Sequence, residues 1–285
     1  MGPTTTDEPT ATLTPRRAVL ATGVTLDYVE QGPPAGVPLV MLHGVTDSWR
    51  SFEPMLAHLP ASLRAIAVTQ RGHGDSSRPD TYRYTDFSAD VAALLDALEI
   101  PSAVIVGHSM GSLVAQRFAI DHPERTTGLV LLGAAPTFAA HDELQGLWDT
   151  AIGTFADPID PGFVREFQAS TVARALDEAW LDLFVAESLK VPVRVWRAAF
   201  EELLHGDFSA ELPRITAPAL VLWADRDGLA RRQERDALAA GIPGVIVKDY
   251  KGAGHAMHWE EPARVARDVA GFVAGLPAAT RSAQK

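Results

Sequence analysis

The sequence predicts an α/β fold in which a mostly parallel β-sheet is flanked by helices. Short strand-like runs alternate with helical patterns along most of the 285 residues, which is typical of a parallel sheet covered by helices. Several runs are continuous stretches of Val, Leu and Ile without polar alternation, as expected when both faces of a strand are buried. The alternation stops between residues 137 and 211, so we expect one helical insertion within the sheet domain.

The individual elements follow from these local patterns. The clearest helix covers Asp86–Leu98, because apolar residues recur there at helical spacing. The other predicted helices are Ser112–Asp121, Arg231–Ala240 and Pro262–Val273. The predicted strands are Val24–Val29, Pro38–Leu42, Ala65–Thr69, Ala103–Val106, Gly128–Leu132, Ala219–Trp223 and Val245–Tyr250.

Composition divides the chain into three parts. Residues 1–15 are rich in Thr and Pro and are expected to form a disordered tail. Residues 16–136 and 212–278 are expected to form the sheet domain, and residues 137–211 the helical insertion. The insertion holds seven of the eleven Phe and three of the six Trp residues.

These aromatic rings have two possible uses, either as the core of the insertion itself or as the wall of an apolar pocket. We expect Phe138, Trp148 and Trp196 to line a substrate pocket together with His108 of the sheet domain.

Charge and composition exclude several classes of function. The 25 Lys and Arg residues against 36 Asp and Glu give a net charge of −11, which argues against nucleic-acid binding. The absence of Cys excludes disulfides, cysteine-ligated zinc and a thiol nucleophile. No apolar run approaches the roughly 20 residues that span a bilayer. We expect a cytoplasmic protein with no membrane partner, and the oligomeric state is not predicted.

Metal and nucleotide motifs are also missing. The nine His residues form neither an H-E-x-x-H nor an H-x-H-x-D-H run, and no Walker loop occurs. We therefore predict neither a metal site nor a cofactor.

The strongest local motif is Gly107–Gly111, with the sequence GHSMG, which directly follows the apolar run Ala103–Val106 and precedes a predicted helix. A sharp strand-to-helix turn strains its middle residue, so the neighbouring side chains must be small, and the two Gly residues supply that clearance. The helix N-terminus favours the negative charge that develops during attack. The motif predicts Ser109 as a nucleophile and the Met110 N–H as an oxyanion donor.

A serine nucleophile needs a base that is itself oriented by a carboxylate. His255 lies on a Gly-rich loop after a predicted strand, and Asp225 and Asp227 follow the buried strand Ala219–Trp223. The order Ser, Asp, His, each beyond the carboxyl end of a strand, is that of a hydrolase triad on this architecture. Placement alone leaves both aspartates open as the acid.

Two further motifs support a family resemblance. Leu42–Val45 (LHGV) follows an early strand, and Arg71–Ser76 (RGHGDS) follows the next one. Together with the nucleophile turn and the loops of the acid and the base, they resemble the α/β-hydrolase fold superfamily over residues 18–275. The resemblance implies an eight-stranded sheet, a helical cap inserted after the sixth strand and a Ser-His-Asp mechanism.

The same resemblance assigns roles to single residues. Ser109 matches the family's nucleophile and His255 its general base. The acid loop matches the family's G-x-x-D pattern with Ala224 in place of Gly, so Asp227 fits the acid position better than Asp225.

The resemblance also places the second oxyanion N–H just beyond a His-Gly pair, which points to Val45. The chain departs from the family at Thr69, where an Asp is frequent, and this change affects a loop rather than the catalytic groups. A Ser at position 109, rather than Asp, speaks against haloalkane dehalogenases and epoxide hydrolases.

We therefore expect a cofactor-free serine hydrolase that cleaves a carboxylic ester or lactone with an apolar moiety through an acyl-enzyme. The same triad resembles that of C–C bond hydrolases of the meta-cleavage type and of cofactor-free haloperoxidases with perhydrolase activity, which stay as alternatives. A non-catalytic ligand receptor on the same scaffold is the alternative from a different class.

Overall fold

The computed structural model describes residues 13–139 and 141–277. Most of the predicted tail, residues 1–12, lies outside the described residues, as does residue 278 at the end of the predicted sheet domain. The part of the tail that is described, residues 13–15, has no regular structure, and Leu13 packs against an apolar core.

The described residues contain eight strands, which form one sheet. The strands are β1 (Arg16–Val19), β2 (Thr25–Gln31), β3 (Val37–Leu42), β4 (Leu63–Thr69), β5 (Ala103–His108), β6 (Thr126–Leu132), β7 (Ala219–Ala224) and β8 (Ile246–Tyr250). Their order across the sheet is β1-β2-β4-β3-β5-β6-β7-β8. The β1–β2 and β2–β4 pairs are antiparallel and the other five are parallel. The predicted mostly parallel, eight-stranded sheet is confirmed.

The central strands are buried on both faces, as β3 shows. Leu39 and Met41 belong to one apolar cluster, whereas Val40 and Leu42 belong to another, and all four side chains are fully buried. Because successive residues of a strand point to opposite faces, the sheet separates two apolar cores. This explains why the strand sequence reads as a continuous apolar run.

Ten α-helices flank the sheet within the described residues. They are α1 (Glu53–Leu56), α2 (Tyr84–Ala97), α3 (Met110–Asp121), α4 (Asp142–Thr150), α5 (Pro161–Ser170), α6 (Glu178–Leu189), α7 (Val193–His205), α8 (Arg232–Gly241), α9 (Met257–Glu260) and α10 (Pro262–Gly275). The four helices whose bounds the sequence predicts correspond to α2, α3, α8 and α10, with ends that differ by at most two residues. None of the described helices is both long and apolar enough to cross a bilayer.

The chain between β6 and β7 is helical, and its two ends meet. The helices α4 to α7 lie there, and Thr137 and Asp207 form an isolated antiparallel bridge. The Thr137 hydroxyl also donates to Gly206 O at 2.7 Å. We call residues 137–211 the inserted segment, because the sheet continues from β6 to β7 as direct neighbours on either side of it.

Candidate active site

Ser109 lies at the turn between β5 and α3 with a strained backbone. Its φ of 52° and ψ of −120° fall in a region that non-glycine residues rarely adopt. Such strain persists only where the surroundings hold it. Here Ser109 N–H donates to Leu132 O at 3.1 Å, and Ser112 N–H donates back to Ser109 O at 2.8 Å. The turn presents Ser109 at the wall of a cavity.

The two glycines of the motif allow this turn because other backbone passes close to them. A Cβ atom on Gly107 would lie 2.2 Å from Gly111 O, and one on Gly111 would lie 2.1 Å from Leu42 O. Real Cβ atoms do not approach backbone oxygens so closely. The predicted requirement for small residues is thus a consequence of helix α3 packing directly against β5 and β3.

His255 and Asp227 come together from the loops after β8 and β7. The Nδ1 atom of His255 lies 2.9 Å from Oδ2 of Asp227, and both side chains are buried. Because a carboxylate only accepts, Nδ1 carries the proton, which leaves Nε2 of the neutral ring as an acceptor. That Nε2 atom is buried and has no hydrogen-bond partner among the described residues. His255 and Ser109 line the same cavity.

Asp227 is held in its charged form. Burial raises the pKa of its carboxyl, but the facing His255 and two backbone N–H donors outweigh this, and the net pKa lies below the ordinary value of 3.8. Those donors are Leu229 N–H at 2.8 Å and Ala230 N–H at 2.9 Å, both to Oδ1. A fixed carboxylate is what an imidazole needs to keep one tautomer and to tolerate a positive charge.

Asp225, the other aspartate considered in the sequence, has a different role. Its Oδ1 accepts from Gly252 N–H at 2.6 Å and so ties the β7 loop to the β8 loop at the protein surface. Of the two aspartates, Asp227 is the one that contacts the His255 ring.

The cavity contains about 410 Å³ of empty space, part of it open to solvent. One side is apolar and takes most of its residues from the inserted segment. The lining residues are Gly44, Val45, Asp47, His108, Ser109, Leu144, Phe167, Gln168, Thr171, Phe200, Leu203, Leu229, His255 and Trp259.

Of the four pocket residues expected from the sequence, the cavity lining includes His108 but not the three aromatic residues. Trp196 is fully buried, and its ring centroid lies 5.4 Å from that of Phe167 within an aromatic cluster. Phe138 is 2% exposed in the apolar core, and the half-buried Trp148 packs against the same core from α4. These three rings contribute to an apolar core that the inserted segment shares with the sheet domain. Aromatic content predicts such a core but not which rings face the cavity.

The two predicted oxyanion donors lie next to Ser109 and at the cavity wall. Met110 is the first residue of α3, so its N–H has no partner within the helix. Val45 lines the cavity on the loop after β3, and its N–H has no hydrogen bond to any residue within 13–139 or 141–277. Both N–H groups are therefore available to a ligand.

Three buried titratable groups lie close to the side chains of Ser109 and His255, and the pKa of each is shifted so that it favours the neutral form. Burial lowers the pKa of His108 well below 6.5 and that of His258 to about 3, and the other histidine charges add to both effects. The two rings lie 4.3 Å apart, and His108 Nε2 contacts His255 O at 3.2 Å. Burial raises the pKa of Asp47 to about 6, although hydrogen bonds from Gln168 and Ser51 lower it.

Sequence reasoning did not identify Asp47 and Gln168, which are two of the polar residues of the cavity wall. Asp47 follows the His-Gly pair closely, so proximity to that motif was a usable signal. Gln168 carries no local signal, since its contact with Asp47 joins residues 121 positions apart. Among the described residues, no group of three or more His, Cys, Asp and Glu is arranged to hold a metal ion.

Comparison with known proteins connects this geometry to a family. The family model of the alpha/beta hydrolase fold matches residues 37–262. The non-heme chloroperoxidase of Streptomyces lividans is 30% identical, over 88% of this chain and 96% of its own length. The 2-hydroxymuconate semialdehyde hydrolase of Pseudomonas sp. (strain CF600) is 29% identical, over 93% of this chain and 96% of its own length. The crystal structure of the esterase RhEst1 from Rhodococcus sp. ECU1013 superposes with a TM-score of 0.81 at 27% identity, and the match covers 92% of this chain and 99% of that one.

The family model spans most of the sheet domain together with the whole inserted segment, and it includes Ser109, Asp227 and His255. The chain belongs to the α/β-hydrolase fold family.

Proposed function

We propose that the protein is a serine hydrolase that cleaves a neutral carboxylic ester or lactone with an apolar moiety through an acyl-enzyme. The observation that carries this proposal is the strained Ser109 at the wall of the cavity that also contains His255, whose Nδ1 is bound to Asp227. A nucleophile, a base with a free Nε2 and an orienting carboxylate are the groups that acyl transfer requires.

The proposed reaction uses these groups in two half-reactions. Ser109 Oγ attacks the carbonyl carbon while His255 Nε2 takes its proton, and Asp227 stabilises the resulting imidazolium. The Val45 and Met110 N–H groups bind the oxyanion of the tetrahedral intermediate. His255 then donates its proton to the leaving alkoxide, and afterwards activates the water that releases the acyl group and restores Ser109.

The cavity lining supports a neutral and apolar substrate. Leu144, Phe167, Phe200 and Leu203 come from the inserted segment, which we propose acts as a cap over the site. No Lys or Arg belongs to the lining within the described part of the chain, and the lining includes the carboxyl of Asp47. A substrate carboxylate in this cavity would stay unpaired, at a cost of several kcal/mol by general estimates.

A lining without Lys or Arg among the described residues favours the ester or lactone over the C–C bond substrate. The C–C bond hydrolase alternative draws support from the Pseudomonas relative, whose name specifies a muconate semialdehyde and therefore a carboxylate. The present cavity offers such a group no cation, so we favour the neutral ester or lactone. A haloperoxidase would use the same three residues, so only an activity assay distinguishes it from an esterase.

The proposal is tested with a fluorophosphonate and intact-protein mass, on the wild type and on Ser109→Ala. We expect one adduct on the wild type, none on the variant, and sustained turnover of p-nitrophenyl butyrate by the wild type only. Turnover by Ser109→Ala at a tenth of the wild-type rate would overturn the nucleophile assignment. A single turnover that leaves a modified histidine would instead support the receptor alternative.

A further inference from the structure

We propose that Gln168, on the inserted segment, is a positioning residue for the oxyanion hole. It holds the loop of residues 44–47, called the 44–47 loop below, so that the Val45 N–H faces the cavity. This inference rests on the proposed function, since an oxyanion hole has a role only if Ser109 attacks a carbonyl.

The 44–47 loop is a tight turn that depends on support from outside. Asp47 N–H donates to Gly44 O at 3.3 Å, and Thr46 adopts a φ of 69°. A β-branched residue in this left-handed region is strained, and the conformation persists only if neighbouring groups hold it. Val45 lies inside the turn, so the direction of its N–H depends on what holds Thr46 and Asp47.

The inserted segment supports this loop through the amide of Gln168 and the hydroxyl of Ser188. Gln168 Nε2 on α5 donates to Asp47 Oδ1 at 3.0 Å and to Ser188 Oγ on α6 at 2.6 Å. These two contacts use both hydrogens of the amide nitrogen. Ser188 Oγ in turn lies 3.2 Å from Thr46 Oγ1, and Gln168 Nε2 itself contacts Thr46 Oγ1 at 3.5 Å. All four side chains are buried, so the loss of one bond leaves a buried polar group without its present partner.

The sheet domain supports the same loop from the other side. Ser51 Oγ donates to Asp47 Oδ2 at 3.2 Å. Ser51 is itself contacted by His258 Nε2 at 3.1 Å and by Trp259 Nε1 at 3.1 Å. These bonds do not involve Gln168, so its removal leaves the Ser51 bond to Asp47 and the Ser188 contact with Thr46 in place. The loop is then expected to stay folded but to shift.

A shifted loop affects the reaction more than the binding of substrate. Removing an oxyanion donor outright costs roughly 10²–10³ in kcat, and a misplacement of about 1 Å costs on the order of 10². Most of the apolar wall, formed by Leu144, Phe167, Phe200 and Leu203, belongs to the inserted segment and not to the loop. We therefore expect a lower kcat with little change in KM, which is the signature of an interaction made only in the transition state.

The test compares four proteins on p-nitrophenyl butyrate, with active sites counted by fluorophosphonate titration. Gln168→Leu removes the donor and keeps the side chain's approximate size. The double variant Asp47→Asn/Gln168→Glu reverses the hydrogen bond, because the Asn amide donates to the Glu carboxylate. Arg194→Gln is the matched control, since Arg194 also joins the inserted segment to the sheet domain, through Arg78 O at 2.8 Å and Pro79 O at 3.0 Å. The fourth protein is the wild type.

Gln168→Leu is expected to lower kcat per titrated site by about 10- to 100-fold, with KM changed less than about threefold. Benzeneboronic acid forms an adduct with Ser109 that places a charged oxygen in the oxyanion hole. We therefore expect its inhibition constant for Gln168→Leu to rise by a similar factor. The double variant is expected to recover most of the loss, and Arg194→Gln to stay within about twofold of the wild type.

An unchanged kcat per titrated site in Gln168→Leu, with only fewer active sites or a lower Tm, would overturn the inference and leave Gln168 a structural residue. An equal loss of kcat in Arg194→Gln would also overturn the inference, because any loosening of the inserted segment would then be enough to lower kcat. A wild type that neither takes up the fluorophosphonate nor turns over the ester would overturn the proposed function itself.

Discussion

His255 Nδ1 lies 2.9 Å from Asp227 Oδ2, although the two residues are 28 positions apart in the chain and belong to the loops after different strands. The contact exists because β7 and β8 are parallel neighbours, so their carboxyl ends lie at the same edge of the sheet. Asp225 is only two residues from Asp227, yet it binds the backbone of Gly252 instead. The geometry thus distinguishes two carboxylates that the order of motifs along the chain leaves equivalent.

Asp227→Asn is expected to lower kcat by roughly three to four orders of magnitude, because an amide NH₂ facing Nδ1 favours the wrong imidazole tautomer. Asp225→Asn is the matched control and is expected to stay within about threefold of the wild type, since an amide oxygen can still accept from Gly252. Steady-state kinetics with p-nitrophenyl butyrate measures both. A larger loss in Asp225→Asn would show that the acid is misassigned.

Much of the sheet and of the nucleophile turn was predictable, because both depend on local sequence. Buried parallel strands require continuous apolar runs, and the GHSMG turn requires glycine where the backbone of β3 and α3 comes close. Strand β1 was harder to identify, since it is four residues long and begins with two Arg residues. The bounds of α2, α3, α8 and α10 follow from periodicity for the same local reason, whereas the helices of the inserted segment were predicted without individual bounds.

The wall of the site was less predictable, because it depends on how the inserted segment packs on the sheet domain. Phe167 lines the cavity, whereas Trp196, 29 positions further along the chain, packs behind it. Both residues are large, aromatic and helical, and nothing in the local sequence separates them. The contact between Gln168 and Asp47 is likewise a property of tertiary packing alone.

The proposed mechanism takes every reacting group from the chain itself, so activity is expected to survive removal of metal ions. The measurement is the rate of p-nitrophenyl butyrate hydrolysis before and after exhaustive dialysis against EDTA. A change of less than about twofold is expected. Loss of activity that returns on addition of a divalent metal would refute a mechanism carried by Ser109, His255 and Asp227 alone.

The protein is expected to lose stability on mild acidification. Burial lowers the pKa of His73 from 6.5 to about 4 and that of His258 to about 3. For such groups the stabilising contribution is complete above pH 6.5 and is lost as the pH falls, because the unfolded chain takes up the proton first. At pH 5 each of these two histidines lowers the free energy of unfolding by about 2 kcal/mol relative to neutral pH. That is a substantial share of a typical domain stability of about 5–15 kcal/mol.

Urea unfolding at pH 5, 6, 7 and 8 measures this loss. The free energy of unfolding is expected to fall steeply between pH 6.5 and pH 5. His73→Gln is expected to flatten that slope, whereas His58→Gln, at an exposed position, is expected to leave it unchanged. A wild-type free energy of unfolding that is constant over this range would show that the buried histidines are not held neutral.

Asp47 is expected to show the opposite dependence on pH. Burial raises its pKa from 3.8 to about 6, against the lowering effect of the Gln168 and Ser51 hydrogen bonds. A carboxyl with a raised pKa contributes stability that is complete below pH 3.8 and is lost as the pH rises through 6, because the folded state then has to hold a buried charge. Asn at this position carries no charge at any pH. The free energy of unfolding of Asp47→Asn minus that of the wild type is therefore expected to increase by about 1–2 kcal/mol from pH 5 to pH 8, which means that the variant becomes relatively more stable.

The stability of Asp47→Asn at a single pH does not report the ionisation of Asp47 alone. An Asn side chain has one acceptor oxygen where the carboxylate has two, so the hydrogen bond from either Ser51 or Gln168 loses its present geometry. The effect of the altered hydrogen bond is the same at both pH values. It therefore cancels when the stability difference between variant and wild type at pH 5 is subtracted from that at pH 8, and the effect of ionisation remains. Asp80→Asn, at an exposed carboxylate, is the matched control and is expected to show a constant difference from the wild type. If the Asp47→Asn difference were equally constant, Asp47 would ionise in the folded protein as it does in the unfolded chain. The loop that carries Val45, which we propose as an oxyanion donor, would then hold a full negative charge throughout this pH range.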